Sequence, residues 1–198
     1  METAPSRKEV THDRIVDTAA RVLRDTGFQG VGVADIMKRS GLTHGGFYAH
    51  FASREALLAE ALARAGQDSQ ARLQRSIAAA QAKGASRFRG LVESYLSERH
   101  LKSPDSGCPV AALASELPRQ AGDVRAAAAT RVESLISSVG ATLPADQPAE
   151  TAGLVASQLV GALQIARTLG DNAKGRRHLA AARQFLLAQF DSPQPTGH

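Results

Sequence analysis

Two groups of side chains in this 198-residue sequence are of types that do chemistry, and their spacings point in different directions. Cys108 and His100 pair a thiol with an imidazole, the nucleophile and base of covalent catalysis. Nothing completes that pair. The sequence offers no third orienting group and no oxyanion-loop signature, and its histidines at positions 12, 44, 50, 100, 178 and 198 are too scattered for a metal cluster. No catalytic residue, metal site or cofactor is expected, and the chain is not read as an enzyme. The second group is denser. The stretch SGLTHGGFYAHFASRE, residues 40–55, sets the donors Thr43, His44, Tyr48, His50 and Arg54 around adjacent Gly45 and Gly46. Thr43, Tyr48 and His50 can donate to phosphate oxygens, His44 can reach a phosphate or a base edge, and Arg54 adds a cation. Each glycine costs a helix interior roughly 1 kcal/mol relative to alanine, so the pair is placed for close backbone approach rather than for stability. Amides in the first turn of such a helix, with its dipole, favour a phosphate.

The elements that hold these donors read as helices. Ala, Leu, Arg and Gln dominate, and no stretch shows the alternation of a strand ladder. The spacing predicts a first helix over 11–26, capped by Thr11 and stopped by Gly27, a second over 33–40 stopped by Gly41, and a third from Thr43 to about Phe51. A long fourth helix follows from Ser53 to about Lys83. Further helices are expected over 86–101, 110–117, 123–141, 149–169 and 176–190, about nine in all, and SPQPTGH at the end reads as a frayed tail. Helices two and three, joined by Gly41, Leu42 and a capping threonine, make a helix-turn-helix. Ile36, Leu42, Phe47 and Phe51 are expected to bury against Ile15, Val22 and Phe28, which turns His44 and Tyr48 to other faces. His50 serves either the fold or a phosphate.

A net charge of +5 and a pI near 9.9 allow an acidic partner such as nucleic acid. The charge does not localise that partner, because residues 1–54 carry eight basic against six acidic side chains. No apolar run reaches the roughly 18–20 residues of a membrane span, and METAPSRKEV lacks the apolar core of a secretory signal. One cysteine excludes an internal disulfide and a Cys-rich zinc site. A cytoplasmic location without membrane attachment is expected.

Residues 25–58, DTGFQGVGVADIMKRSGLTHGGFYAHFASREALL, closely resemble the DNA-binding segment of the TetR/AcrR family of bacterial transcriptional regulators. The likeness rests on Gly27-Phe28, Val33, Ile36, Gly41, Gly45, Tyr48, His50-Phe51 and Ser53-Arg54-Glu55-Ala56-Leu57. Three positions depart from the family's common pattern. Gly32 stands where a capping Thr or Ser is frequent, His44 where a lysine is frequent, and Ala49 where an aromatic residue is common. The resemblance implies an all-α chain with a DNA-binding domain over 1–54 and a helical effector-binding and dimerisation domain over 55–198. It also implies a homodimer on double-stranded palindromic operator DNA, released, as a repressor, by a small-molecule inducer. Two heads about one DNA turn apart, roughly 34 Å, lose simultaneous contact when the fourth helix pivots slightly.

Beyond residue 58 the sequence names no ligand. Leu154, Val155, Leu159, Leu163 and Ala166, with Leu179, Ala182, Phe185 and Leu186, offer apolar faces for a dimer bundle or for packing within one subunit. Phe88, Leu91, Val92, Tyr95, Leu96, Leu113, Leu117, Leu135 and Ile136 are candidates for a pocket wall or for core. Cys108, ahead of Pro109, falls at a helix N-cap, where a thiolate is favoured. It resembles a Gly-Cys pair in one branch of the family, some of whose members sense oxidants or electrophiles through cysteine. The plainer reading is a small buried residue. A helical scaffold without DNA activity is the competing reading of the whole chain.

Overall fold

The computed structural model describes residues 5–191, so the tail over 192–198 lies outside the described residues. Within them the chain forms nine α-helices and four short 3-10 turns with no strand. The first helix, α1 (Arg7–Thr26), starts earlier than the periodicity indicates. Ser6 caps it in a reciprocal box with Glu9, while the Thr11 hydroxyl bonds back to the Arg7 carbonyl inside the helix. Then come α2 (Val33–Arg39), a 3-10 helix over His44–Ala49 and α3 (Arg54–Gln81), which Ser53 caps by accepting the Ala56 amide.

The expected helix over 86–101 is two helices, α4 (Arg87–Tyr95) and α5 (Glu98–Lys102). Leu96 leaves helical geometry, Ser97 caps α5, and the freed Leu96 carbonyl accepts from Arg183 at 2.5 Å. The expected 110–117 helix shortens to α6 (Pro109–Leu113), followed by a 3-10 turn over Leu117–Arg119. The chain closes with α7 (Gly122–Gly140), α8 (Thr151–Leu169) and α9 (Ala173–Phe190). The total of nine matches the sequence count through two compensating differences: the third helix is 3-10, and the fifth divides.

The long α3 organises the fold. It packs on α1 at one end and on α4 and α7 along its length, while α8 joins α7 to α9. Ile15, Val22, Phe28, Ile36, Phe47 and Phe51 are buried together as expected, with Leu42 half-buried against them. On α8 and α9, however, Val155, Leu159, Leu163, Ala166, Leu179 and Leu186 are buried within the protomer. Only Leu154 and Phe185 of the faces expected for a dimer are exposed, and Ile165 and Leu169 join them. Among the described residues no helix is long and apolar enough to cross a membrane.

Candidate functional site

The turn between α2 and the 3-10 helix is built on Gly41, whose φ of +70° is the left-handed geometry that side chains rarely adopt. Its neighbour Leu42 returns its amide to the Met37 carbonyl at 2.9 Å, fixing the corner. Gly32 occupies the N-cap of α2 without a side-chain cap bond, as its lack of a hydroxyl requires. Past the turn, Phe47 and Phe51 stack 5.4 Å apart in the core and set the orientation of everything between them. Phe47 is 1% exposed while the adjacent Tyr48 is 73% exposed, its ring edge-on to Phe47. A tyrosine projecting this far from an anchored segment leaves its hydroxyl and one ring face for a partner.

Thr43, His44 and Gly45 are exposed beside Tyr48. The two glycines do different things. A Cβ on Gly45 would meet nothing within 4 Å, whereas one on Gly46 would lie 3.6 Å from the Met37 methyl. Gly45 therefore keeps the outer surface low, and Gly46 sits half-buried against α2. Thr43 holds the N-cap position but its hydroxyl makes no capping bond. A six-residue 3-10 helix has little macrodipole, so what this segment offers a phosphate is exposed side chains and single amides rather than the helix end expected from the sequence.

His50 and Arg54 are turned inward. The half-buried His50 ring lies 6.1 Å from His12, and its Nδ1 is shut from solvent without a partner. Burial, then the charges of His12 and Lys8, hold its pKa below the usual imidazole value, favouring the neutral ring. Arg54 donates from Nε to the Val31 carbonyl at 2.9 Å and from Nη2 to the Phe28 carbonyl. Its guanidinium braces the loop before α2, a different use from the free cation expected. His12, not singled out in the sequence, stacks on Phe51 at 4.5 Å and reaches Glu60 on α3 at 2.6 Å.

A second concavity, a cavity of about 920 Å³, lies between α3, α4, α7 and the segment around α5 and α6. Tyr95, Cys108 and Leu135 line it. Phe88, Val92, Leu113 and Leu117 do not; they are buried in the core. Cys108 is 5% exposed at the N-cap of the five-residue α6. Its own amide donates to His100 Nε2 at 2.9 Å, while His100 Nδ1–H donates to the Tyr95 carbonyl at 2.7 Å. Both imidazole nitrogens are thus committed to backbone, so His100 is a pin for the loop and not a base for the thiol.

Burial pushes the His100 pKa down to about 4 against the opposing pull of the Tyr95 carbonyl, with Arg167 and Arg72 lowering it further. The unfolded chain binds the proton near pH 6.5 and the folded chain refuses it. Stability from this group is complete above that value and lost as pH falls toward 4, by up to about 3 kcal/mol. Thermal melts between pH 7.5 and 4.5 should show a shallower acid loss in His100→Gln than in the unmodified protein.

Direct contacts connect this cavity to the head. Arg72 on its wall donates to the Ser106 carbonyl, and the 3-10 turn Pro104–Ser106 packs on α1. Beyond α6, Glu116 accepts the Phe28 amide at 2.9 Å, and a Cβ on Gly27 would collide with that carboxylate at 2.4 Å. Buried Arg24 reaches the Ala65 carbonyl of α3 at 3.2 Å. Arg64 of α3 clamps Asp13, at 2.7 Å, and Asp17 on α1.

A three-helix head with an anchored, donor-rich turn, mounted on a helical body that encloses a cavity, defines a helix-turn-helix regulatory protein. Residues 15–61 match the family of bacterial regulatory proteins designated tetR. Over 191 residues the chain is 30% identical to an uncharacterized HTH-type transcriptional regulator of Mycobacterium tuberculosis, covering 90% of this chain and 95% of the relative. A shorter likeness, 40% over 52 residues, links 26% of the chain to 19% of the A-factor receptor protein of Streptomyces griseus. The fold is similar to the reduced form of Escherichia coli NemR, with a TM-score of 0.75 at 19% identity over 93% of this chain and all of that one. A TetR regulator of Chloroflexus aurantiacus gives 0.72 at 19% identity over 94% and 99% of the two chains. The chain belongs to the TetR family of transcriptional regulators, whose DNA-binding helix-turn-helix is the head described above.

Proposed function

We propose that the protein is a cytoplasmic homodimeric repressor that binds a palindromic operator through Thr43, His44, Gly45 and Tyr48 and is released when its cavity is filled. The observation that carries this reading is the pairing of a buried Phe47 with a 73%-exposed Tyr48 on one short segment beside the open Gly45. His50 and Arg54 contribute by holding that surface in shape. Dimerisation through α8 and α9 uses Leu154, Ile165, Leu169 and Phe185, each at least 41% exposed.

Release follows from the connections between cavity and head. A ligand that displaces Arg72 from Ser106, or moves α6, acts on the α1 surface and on the Glu116 link to Phe28. A small pivot of α1 with α3 then changes the spacing of two heads that must match one DNA turn. Cys108 gives a second route to the same end. Its thiolate adds to the β-carbon of an unsaturated carbonyl compound, the α-carbon takes a proton from water, and the adduct occupies the cavity.

Selection of duplexes from a random DNA pool, with and without such an electrophile, tests the reading. It predicts enrichment of a palindrome. Treatment abolishes that enrichment in the unmodified protein and spares it in Cys108→Ser. A palindrome insensitive to treatment keeps the operator and removes the cysteine route. Failure to enrich any site leaves the scaffold reading.

A further inference from the structure

The charges around the cavity are one-sided. Arg72, Arg75, Lys83, Arg99 and Arg131 border it, and its one carboxylate, Glu93, is already ion-paired with Arg89 at 3.3 Å. Among the described residues none of those five cations has an ion-pair partner. One polar atom of a wall residue is also unsatisfied. Arg131 Nε is shut from solvent with no acceptor, while the hydroxyl of the buried Tyr95 lies against the Cys108 thiol. Buried donors without partners are uncommon in folded proteins.

The position of Arg131 is itself built. Its side chain crosses α3 at Gly66, where a Cβ would fall 2.2 Å from Arg131 Cδ. A glycine in the middle of a 28-residue helix weakens that helix, and here it opens the lane along which the arginine reaches the cavity. Arg72 uses one nitrogen on the Ser106 carbonyl, and a guanidinium has five N–H donors. The rest of the wall is different in kind: Leu73, Ala80, Val110 and Leu135 provide an apolar surface. The volume, about 920 Å³, lies near the top of the usual range of small-molecule sites.

We infer that the cavity takes an amphiphilic anion, with a carboxylate or phosphate-ester head held by Arg72 and Arg131 and an apolar body along Leu73, Ala80 and Leu135. This rests on the reading of the cavity as the effector site. An acid head supplies acceptors to guanidinium donors that have no carboxylate partner, in charge-assisted bonds stronger than neutral ones. A neutral ligand of the same length leaves the charge uncompensated, and a cationic one adds to it. An anion bound at Arg72 also competes with the Ser106 carbonyl for that guanidinium, which joins occupancy to the turn packed on α1.

Calorimetric titration of the full chain with decanoate, decyl phosphate, decanamide and decylamine is the test. At least one acid should bind about tenfold or more tightly than decanamide, a difference of about 1.4 kcal/mol, and decylamine should bind weakest. The ratio of the two acids names the head group. Arg131→Met and Arg72→Met should each weaken the better acid and spare decanamide, and Gly66→Ala, by pushing Arg131 aside, should narrow the same preference. Melting curves confirm that the variants fold. Decanamide binding as tightly as both acids, a preference that survives the double arginine variant, or no binding by any of the four overturns the inference. Duplex binding, followed in parallel by anisotropy, separates the two readings. Acid binding with the stated preference but no loss of duplex affinity sinks ligand release and keeps the anion site; release by decanamide where neither acid binds does the reverse.

Discussion

Gly45→Leu should leave the melting temperature of the protein unchanged, within about 0.5 kcal/mol of stability, and remove its operator binding. Gly45 has ordinary backbone angles, since it is not among the glycines with positive φ, and a Cβ there meets nothing within 4 Å. A leucine is thus admitted by the protomer and even restrained in the unfolded chain. It rises from the surface that Thr43, His44 and Tyr48 share. Contacts to phosphate and base edges are worth about 1–3 kcal/mol each, and two-fold symmetry counts the loss twice, so duplex affinity should fall at least about 100-fold. Tryptophan-free anisotropy with a labelled duplex, paired with calorimetric melting, reads both quantities. A stable variant with full affinity places the DNA surface elsewhere; the same leucine at Gly46 would instead press on Met37 and lower stability.

The second large effect concerns assembly. Ile165→Glu combined with Phe185→Glu should convert the protein to a monomer in light scattering while the protomer stays folded. Both side chains are half-exposed in the single chain, so neither contributes much to its core. Burying the exposed half of four such side chains per protomer in a two-fold interface stabilises a dimer by about 1 kcal/mol each, before the cost of association. Two carboxylates per face remove that gain and add unpaired charge. Operator affinity then falls too. A tethered second head acts at an effective concentration near millimolar, against a single-head constant of about 10⁻⁴–10⁻⁶ M, so its loss costs roughly 10- to 1,000-fold. A variant that stays dimeric assigns the interface to another face.

The head was legible in the sequence because its determinants are local. Gly27 and Gly41 both have the left-handed backbone their positions suggest, Phe47 and Phe51 at i and i+4 share the core, and Tyr48 is forced outward between them. What the sequence hid was the fate of groups with distant partners. Arg54 reads as a cation at a helix start, yet the carbonyls it satisfies lie 23 and 26 residues earlier. Thr11 reads as a cap, but the Ser6–Glu9 pair offers a complete capping box upstream and wins.

The cavity was less legible for a related reason. Phe88, Val92, Leu113 and Leu117 are apolar, and apolar side chains fill the core first; what lines the cavity includes the polar stripe Ser69, Arg72 and Ser76 of α3 opposite Arg131, Ser134 and Ser138 of α7. Such stripes at helical spacing look like solvent faces until two of them are packed toward one another. Gly66 was the available signal, a mid-helix glycine with no turn to serve. On α8 the same ambiguity ran the other way: a helix apolar on most sides buries one face internally, and the sequence does not say which face is left for a partner.

Hydrogen exchange of the protein with and without a selected palindromic duplex tests the central claim most directly. The account predicts slowed exchange concentrated in the peptides that cover Gly32 to Phe51. Protection confined to the helical body, or duplex binding that leaves the Thr43–Tyr48 amides as fast as in the free protein, would contradict it.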